Sequence, residues 1–205
     1  MTEAAIGGRR ANKRGIHSRD SMIKAAVASL ATGDPAAVSG NRIARDIGAT
    51  WGVVKYQFGD IDGLWAAVLR YTADKRGDLP ANLRPDGTLR ERVTALVEAM
   101  VVGLRTPESL AIETLRAALP REQAELEREF PLTAAELSSW KPNWDDACHR
   151  AFADLGVDPV RVRQVAALIP AAMRGITSER TLGTYGNLED ALAGLTGSIV
   201  AYLQP

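Results

Sequence analysis

Apolar residues along this chain recur at intervals of three and four, the spacing at which an α-helix brings side chains onto one face. From Ser18 onward, Met22, Ile23, Ala26, Val27 and Leu30 share one side of a predicted first helix, which Thr32, Gly33, Asp34 and Pro35 bring to an end. Ser39 is a good N-cap for a short second helix that carries Ile43, Ala44 and Ile47 and stops at Gly48. Thr50 caps a third helix, Trp51 to Phe58, and Asp60 or Asp62 opens a fourth through Leu64, Val68, Leu69 and Tyr71. Between Gly77 and Gly87 the stretch GDLPANLRPDG has two prolines and no apolar period, so it reads as a joint between two units.

Beyond the joint, Leu89, Val93, Leu96, Val97, Met100 and Leu104 form an amphipathic stripe, and Pro107 restarts a helix with Leu110, Ile112, Leu115 and Leu119. REQAELEREF is a charged helix ended by Pro131, and TAAELSSWKPNWDDACHRAFADLG is helical on both sides of Pro142. Pro159 suits the first turn of a long helix to about Leu182, in which Pro170 removes a hydrogen bond and bends the axis. A last helix runs from Asn187 to Leu203. No run of alternating β-branched residues is bounded by hairpin turns, so the expected class is all-α, with about nine helices.

The 205 residues, 46% of them apolar, are enough for one large domain or two small ones and argue against wholesale disorder. The longest uncharged apolar run, Val165 to Met173, is about half of what a membrane span needs. The first fifteen residues are charged without the apolar stretch of a secretory signal, and Cys148 has no second cysteine to pair with, which together predict a cytoplasmic protein. A formal charge of zero conceals a polarity. Residues 1–58 hold nine basic side chains against four acidic ones, a net of +5, and the remainder carries −5. A compact basic unit on an acidic body suits an anionic partner for its first part, nucleic acid being the commonest, although a solvated basic face has the same count.

The segment NRIARDIGATWGVVKYQF carries the clearest chemistry. Two short helices separated by a glycine-containing turn form a helix-turn-helix, whose second helix enters the major groove of DNA. Thr50 offers a hydroxyl and the free amides of a helix start to a phosphate, and Gly52 lets a backbone approach closely. Trp51, Val53, Lys55 and Tyr56 are long enough to reach bases or phosphates, with Ser39 and Arg42 alongside as further DNA-binding candidates. Trp51 is expected to face outward, since Val54 and Phe58 already occupy the inward side. Arg9, Arg10, Lys13 and Arg14 form a basic flexible arm, either reaching the minor groove or phosphates or remaining a solvated tail.

Those residues resemble a family. IARDIGATWGVVKYQFGDIDGLWAAVL is similar to the DNA-binding signature of TetR-type transcriptional regulators, with Ile43, Ala44, Gly48, Thr50, Gly52, Tyr56, Phe58 and Leu64 in the family's slots. The resemblance covers about residues 18–72. Two positions depart from it: Lys55 replaces the usual Tyr, and Ile61 replaces the usual Lys that contacts phosphate at the start of the fourth helix.

The resemblance implies a three-helix DNA-binding domain over 18–60, after an arm at 1–17, and a helical ligand-binding and dimerisation domain over 61–205. It also implies a homodimer on a palindromic or pseudo-palindromic double-stranded operator, acting as a repressor released by a small apolar or aromatic effector. The alternatives are a corepressor-dependent regulator of the same fold, or a helical ligand-binding module with a vestigial helix-turn-helix. For the implied pocket the candidates are Met100, Trp140, Trp144, Phe152, Ile169 and Met173, large apolar groups of the kind that line cavities, with plain core as the more ordinary role for any one of them. For the dimer seam, Ala191, Gly194, Ser198 and Ala201 make a small-residue stripe beside Leu195.

No catalytic constellation is expected. Cys148 and His149 are neighbours on a helix and diverge, and Asp145 and His149, four apart, suit an ion pair better than half a metal site. No cofactor, metal or membrane partner is indicated by any motif.

Overall fold

The computed structural model describes residues 7–76, 87–184 and 187–204, with side chains from residue 19 onward apart from those of residues 76 and 181. Among the described residues ten α-helices follow one another: α1 (Gly7–Leu30), α2 (Gly40–Asp46), α3 (Trp51–Phe58), α4 (Ile61–Arg76), α5 (Leu89–Gly103), α6 (Pro107–Ala118), α7 (Gln123–Glu129), α8 (Pro131–Phe152), α9 (Pro159–Leu182) and α10 (Leu188–Leu203). Single 3-10 turns lie at Pro35–Val38 and Ala153–Leu155, and no strand occurs among the described residues. The all-α class is thus as the periodicity predicts, and α3 has the predicted bounds. α1 begins at Gly7 rather than near Ser18, because the apolar stripe marks where the helix meets its core and not where its backbone starts. Of the proline-containing joint expected over Gly77–Gly87, residues 77–86 lie outside the described residues. Among the described residues no helix is long and apolar enough to cross a membrane.

Packing divides the chain into one unit of Met1–Lys75 with Pro107–Ser138 and another of Arg76–Thr106 with Ser139–Pro205. This differs from consecutive blocks broken at residue 60, because α6 returns to bury against α1 and the Pro35–Val38 turn.

In the first unit, Met22, Ile23, Ala26, Val27 and Leu30 of α1 are buried as their spacing predicts. Polar contacts pin α2 to α1 and to the turn. The Ser29 hydroxyl donates to Asp46 at 2.5 Å, Arg42 Nε reaches both Asp46 oxygens at 3.1 Å, and Arg42 Nη1 lies 3.4 Å from Asp34. The Ser29 hydrogen bond, reinforced by Arg42 and Arg45 against the opposing effect of burial, holds the Asp46 carboxyl below the ordinary aspartate range.

α4 starts with a double device. Asp60 Oδ1 accepts the Gly63 amide at 2.8 Å, which caps α4 itself. Asp62, only 5% exposed, accepts the amides of Leu132 and Thr133, each at 2.8 Å, and so caps α8, where Pro131 fills the first position. Further along, Arg70 of α4 pairs with Glu136 of α8 at the surface.

In the second unit the core draws on four helices: Val93, Leu96 and Val97 from α5, Cys148 and Phe152 from α8, Val162 to Ile176 on one face of α9, and Ile199, Val200 and Leu203 from α10. A capping box of Thr88 and Glu91 starts α5. One turn on, the Arg92 guanidinium, 4% exposed, donates to the carbonyls of Gly87 (2.8 Å) and Ala151 (2.7 Å) and grips both oxygens of Asp154 at 2.6 Å. That grip outweighs burial and holds the Asp154 carboxyl below its ordinary range. The Trp144 indole donates to the Ala166 carbonyl at 2.7 Å, tying α8 to α9. The expected Asp145–His149 ion pair does not form. Asp145 takes Lys141 at 2.5 Å instead, and the His149 ring nitrogens face the carbonyls of Asp145 (2.8 Å) and Pro159 (3.3 Å), because the longer lysine reaches the carboxylate from the preceding turn.

Two consequences can be measured. Asp62→Ala strands two α8 amides and should destabilise the protein by about 2–4 kcal/mol in urea unfolding; a loss well under about 1 kcal/mol would mean that water replaces the cap. For Asp154, whose folded pKa is depressed, the stabilisation is complete above the unfolded value of about 3.9 and is lost as pH falls through the folded value. Asp154→Asn should therefore melt below the wild type at neutral pH, with the gap closing beneath about pH 4, whereas a gap independent of pH would contradict the pairing.

Candidate nucleic-acid interface

α2, the turn and α3 make a helix-turn-helix whose joints are set by four residues. Ser39 Oγ accepts the Arg42 amide at 3.4 Å to start α2, and Gly48, at φ +67°, takes the left-handed conformation that ends it. Thr50 Oγ1 then accepts the Val53 amide at 3.4 Å to start α3, and Gly59, at φ +86°, closes it. Val54 and Phe58 are buried, which orients the opposite side of α3 outward. That outward side presents Gly52, Val53, Lys55 and Tyr56, the last 86% exposed. Beside it, Ser21 and Met22 of α1 and the residues from Ile47 to Thr50 line a surface recess of about 440 Å³ that also touches Val53.

Two further residues hold α3 in place. A Cβ on Gly63 would fall 1.9 Å from the Phe58 carbonyl oxygen, so the end of α3 sits against a backbone that tolerates no side chain there. Arg19 of α1 stacks its guanidinium 5.0 Å from the centre of the Phe58 ring. Neither was among the sequence candidates. The short spacing of Asp60, Asp62 and Gly63 in the stretch GDIDG was the available signal.

Gly52 stands apart among the glycines from Gly33 to Gly63. Its φ is not in the left-handed region, and a Cβ there would meet only Thr50 Oγ1, at an ordinary 3.7 Å. Nothing within the chain requires a glycine at this exposed helical position, where glycine costs roughly 0.5–1 kcal/mol relative to alanine.

The remaining candidates are placed less uniformly. Arg42 is engaged by Asp34 and Asp46, so its charge is already balanced within the fold. Trp51, expected to face outward, is half-buried instead. Its ring lies over Gly40, where a Cβ would come within 2.9 Å of it, and the missing Gly40 side chain is what gives the indole a seat. Arg9, Arg10, Lys13 and Arg14 belong to the first turns of α1 by their backbone, and their side chains lie outside the described residues.

In the second unit, Phe152, Ile169 and Met173 are fully buried in the four-helix core, with Met100 and Trp144 packed half-buried against it and Trp140 half-buried on α8. Of the seam candidates, Ala191 and Leu195 pack against that core, whereas Gly194, Ser198 and Ala201 are exposed along α10. α9 adds an exposed face that is not among the sequence candidates: Ala167, Leu168, Ala171, Gly175, Ser178 and Leu182, small or apolar at helical spacing, opposite its buried stripe. Leu168 and Leu182 are 50% and 70% exposed.

An all-α chain with a capped helix-turn-helix in one unit and a four-helix core in the other has counterparts among solved structures. Comparison with solved structures gives that architecture a family: the chain has the TetR-family fold. It is similar to a TetR-family transcriptional regulator from Streptomyces coelicolor (TM-score 0.67, 17% identity, covering 91% of this chain and 80% of that one). It is also similar to a transcriptional regulator from Rhodococcus sp. Rha1 (TM-score 0.69, 18% identity, 91% and 99% covered). A third is NalD, the secondary repressor of the MexAB-OprM multidrug efflux pump in Pseudomonas aeruginosa (TM-score 0.65, 17% identity, 93% and 98% covered). No family model matches the sequence, and no curated protein matches it. At these identities the likeness is one of fold.

Proposed function

We propose that this chain is a sequence-specific DNA-binding regulator of transcription, acting in the cytoplasm as a homodimeric repressor on a palindromic or pseudo-palindromic operator. Gly52 is the observation that carries the reading. An exposed glycine in the first turn of α3, required neither by backbone conformation nor by packing, leaves the helix backbone open to a partner outside the chain. A phosphodiester strand lying over the start of a helix is such a partner, met by the free amides of the first turn and the Thr50 hydroxyl. Lys55 and Tyr56, on the same outward side, then reach bases or phosphates, and exposed Lys24 and Arg45 add positive charge to the unit.

Dimerisation is supported by the exposed faces of α9 and α10, where alanine, glycine and serine leave room for close helix approach and Leu168 and Leu182 supply apolar area. A two-fold pair sets two recognition helices about 34–36 Å apart, one turn of DNA. An apolar or aromatic effector weakens operator binding to the extent that it prefers a dimer shape with a different spacing. Half-buried Met100 and Trp144 offer it entry at the edge of the second unit's core with the least displacement of Phe152, Ile169 and Met173, and Trp140 is half-buried one turn before Trp144 on α8.

Selection from a random duplex library, followed by affinity measurement on the recovered sequence, tests the DNA reading directly. Gly52→Ala should be as stable as the wild type or more so, by up to about 1 kcal/mol, yet bind the selected duplex at least about tenfold more weakly. Undiminished affinity in this variant would remove α3's first turn from the interface.

Gly194→Arg sets a bulky charge on the exposed α10 stripe. Light scattering should find it monomeric, with specific duplex binding reduced alongside, and a variant that remains dimeric would move the seam elsewhere.

A further inference from the structure

A cavity of about 400 Å³ lies within the first unit, behind the recognition helix and away from its outward side. Its walls are Trp51 from α3, Ile61 and Trp65 from α4, Leu115 and Leu119 from α6, and Phe130 before α8. Its volume is in the range of small-molecule sites. No charged side chain lines it, and three aromatic rings do. Exposed Ser39 and Asn41 bring a hydroxyl and an amide to its rim, and exposed Ala118 stands there as well. Flat walls, neutrality and a polar rim together select a neutral, planar aromatic molecule that carries one hydrogen-bonding atom.

We infer that this cavity is a second effector site, one that takes such a molecule and acts directly on the start of the recognition helix. The mechanical link is short. Trp51 is the first residue of α3 and forms one wall, and its ring already lies so close to Gly40 that a single added carbon would stand 2.9 Å from it. The ring therefore has no room to retreat toward α2. An occupant that presses on it moves the first turn of α3, which holds Thr50 and Gly52. Trp65, 2% exposed, gives the opposite wall a fixed position on α4. The effect on DNA rests on the reading proposed above, whereas binding to the cavity does not.

Quinoline, a neutral two-ring aromatic with one acceptor nitrogen, is a suitable probe. The full chain labelled with fluorotryptophan gives four fluorine resonances, from Trp51, Trp65, Trp140 and Trp144, which single Trp→Phe variants assign. The expected result is a saturable shift of the Trp51 and Trp65 signals with the other two unmoved. Ala118→Trp places a ring over the mouth from an exposed position and should abolish those shifts while the circular dichroism spectrum and melting temperature stay those of the wild type. Should that variant not fold, Ala118→Leu serves the same purpose with less bulk. On a selected duplex, saturating quinoline should weaken wild-type binding about tenfold and leave the filled variant unaffected. Absence of a saturable shift, or shifts confined to Trp140 and Trp144, would overturn the site. A shift at Trp51 with duplex affinity unchanged would overturn its coupling to DNA. A chain that binds no duplex would overturn the DNA reading, and the fluorine signals would still decide the cavity.

Discussion

Asp62 sits where two requirements meet. α3 ends at Phe58, a left-handed glycine turns the chain, and α4 begins at once, so wherever the start of α4 is fixed the end of α3 is fixed with it. Asp62 fixes that start by giving its buried carboxylate to the first free amides of α8. A carboxylate removed from water is costly unless fully hydrogen-bonded, and helix amides with no partner inside their own helix are costly in the same way. Each satisfies the other, which makes the contact between α4 and α8 specific in register as well as favourable. Gly63 completes the joint, because only its missing side chain lets the Phe58 carbonyl lie against α4.

With its end anchored, α3 can present a side that does nothing for the fold. Val54 and Phe58 face inward and secure the helix, while Gly52, Val53, Lys55 and Tyr56 face out. The two sides obey different rules. Inward residues are large where packing needs volume, and outward ones leave the backbone bare at Gly52 and extend into solvent at Lys55 and Tyr56. Trp51 belongs to neither set, being at once the first residue of α3 and a wall of the cavity behind it.

The elements of the fold were legible because helix starts and stops are written locally. Ser39, Thr50 and Asn187 cap the helices that their positions announce, and Gly48 and Gly183 end helices in the left-handed conformation that glycine permits. Contacts between distant segments were not legible in this way. Nothing near Asp62 indicates that its partners lie at residues 132 and 133, and the burial of α6 on α1 depends on tertiary packing that no local pattern encodes. Trp51 was misplaced for the same reason: its seat is created by the absence of a side chain at Gly40, on another helix. The small residues of α10 stand out in the sequence, whereas the exposed face of α9 does not, because the apolar stripe that dominates the α9 pattern is the one that enters the core.

Hydrogen exchange on the wild-type chain, with and without a duplex recovered by selection, addresses the claim that α3 reads DNA. The amides from Gly52 to Tyr56 should exchange more slowly in the complex, by a factor set by duplex occupancy, with protection extending to the turn at Gly48 and Ala49. Protection confined to α9 and α10, with the α3 amides unchanged, would contradict the account.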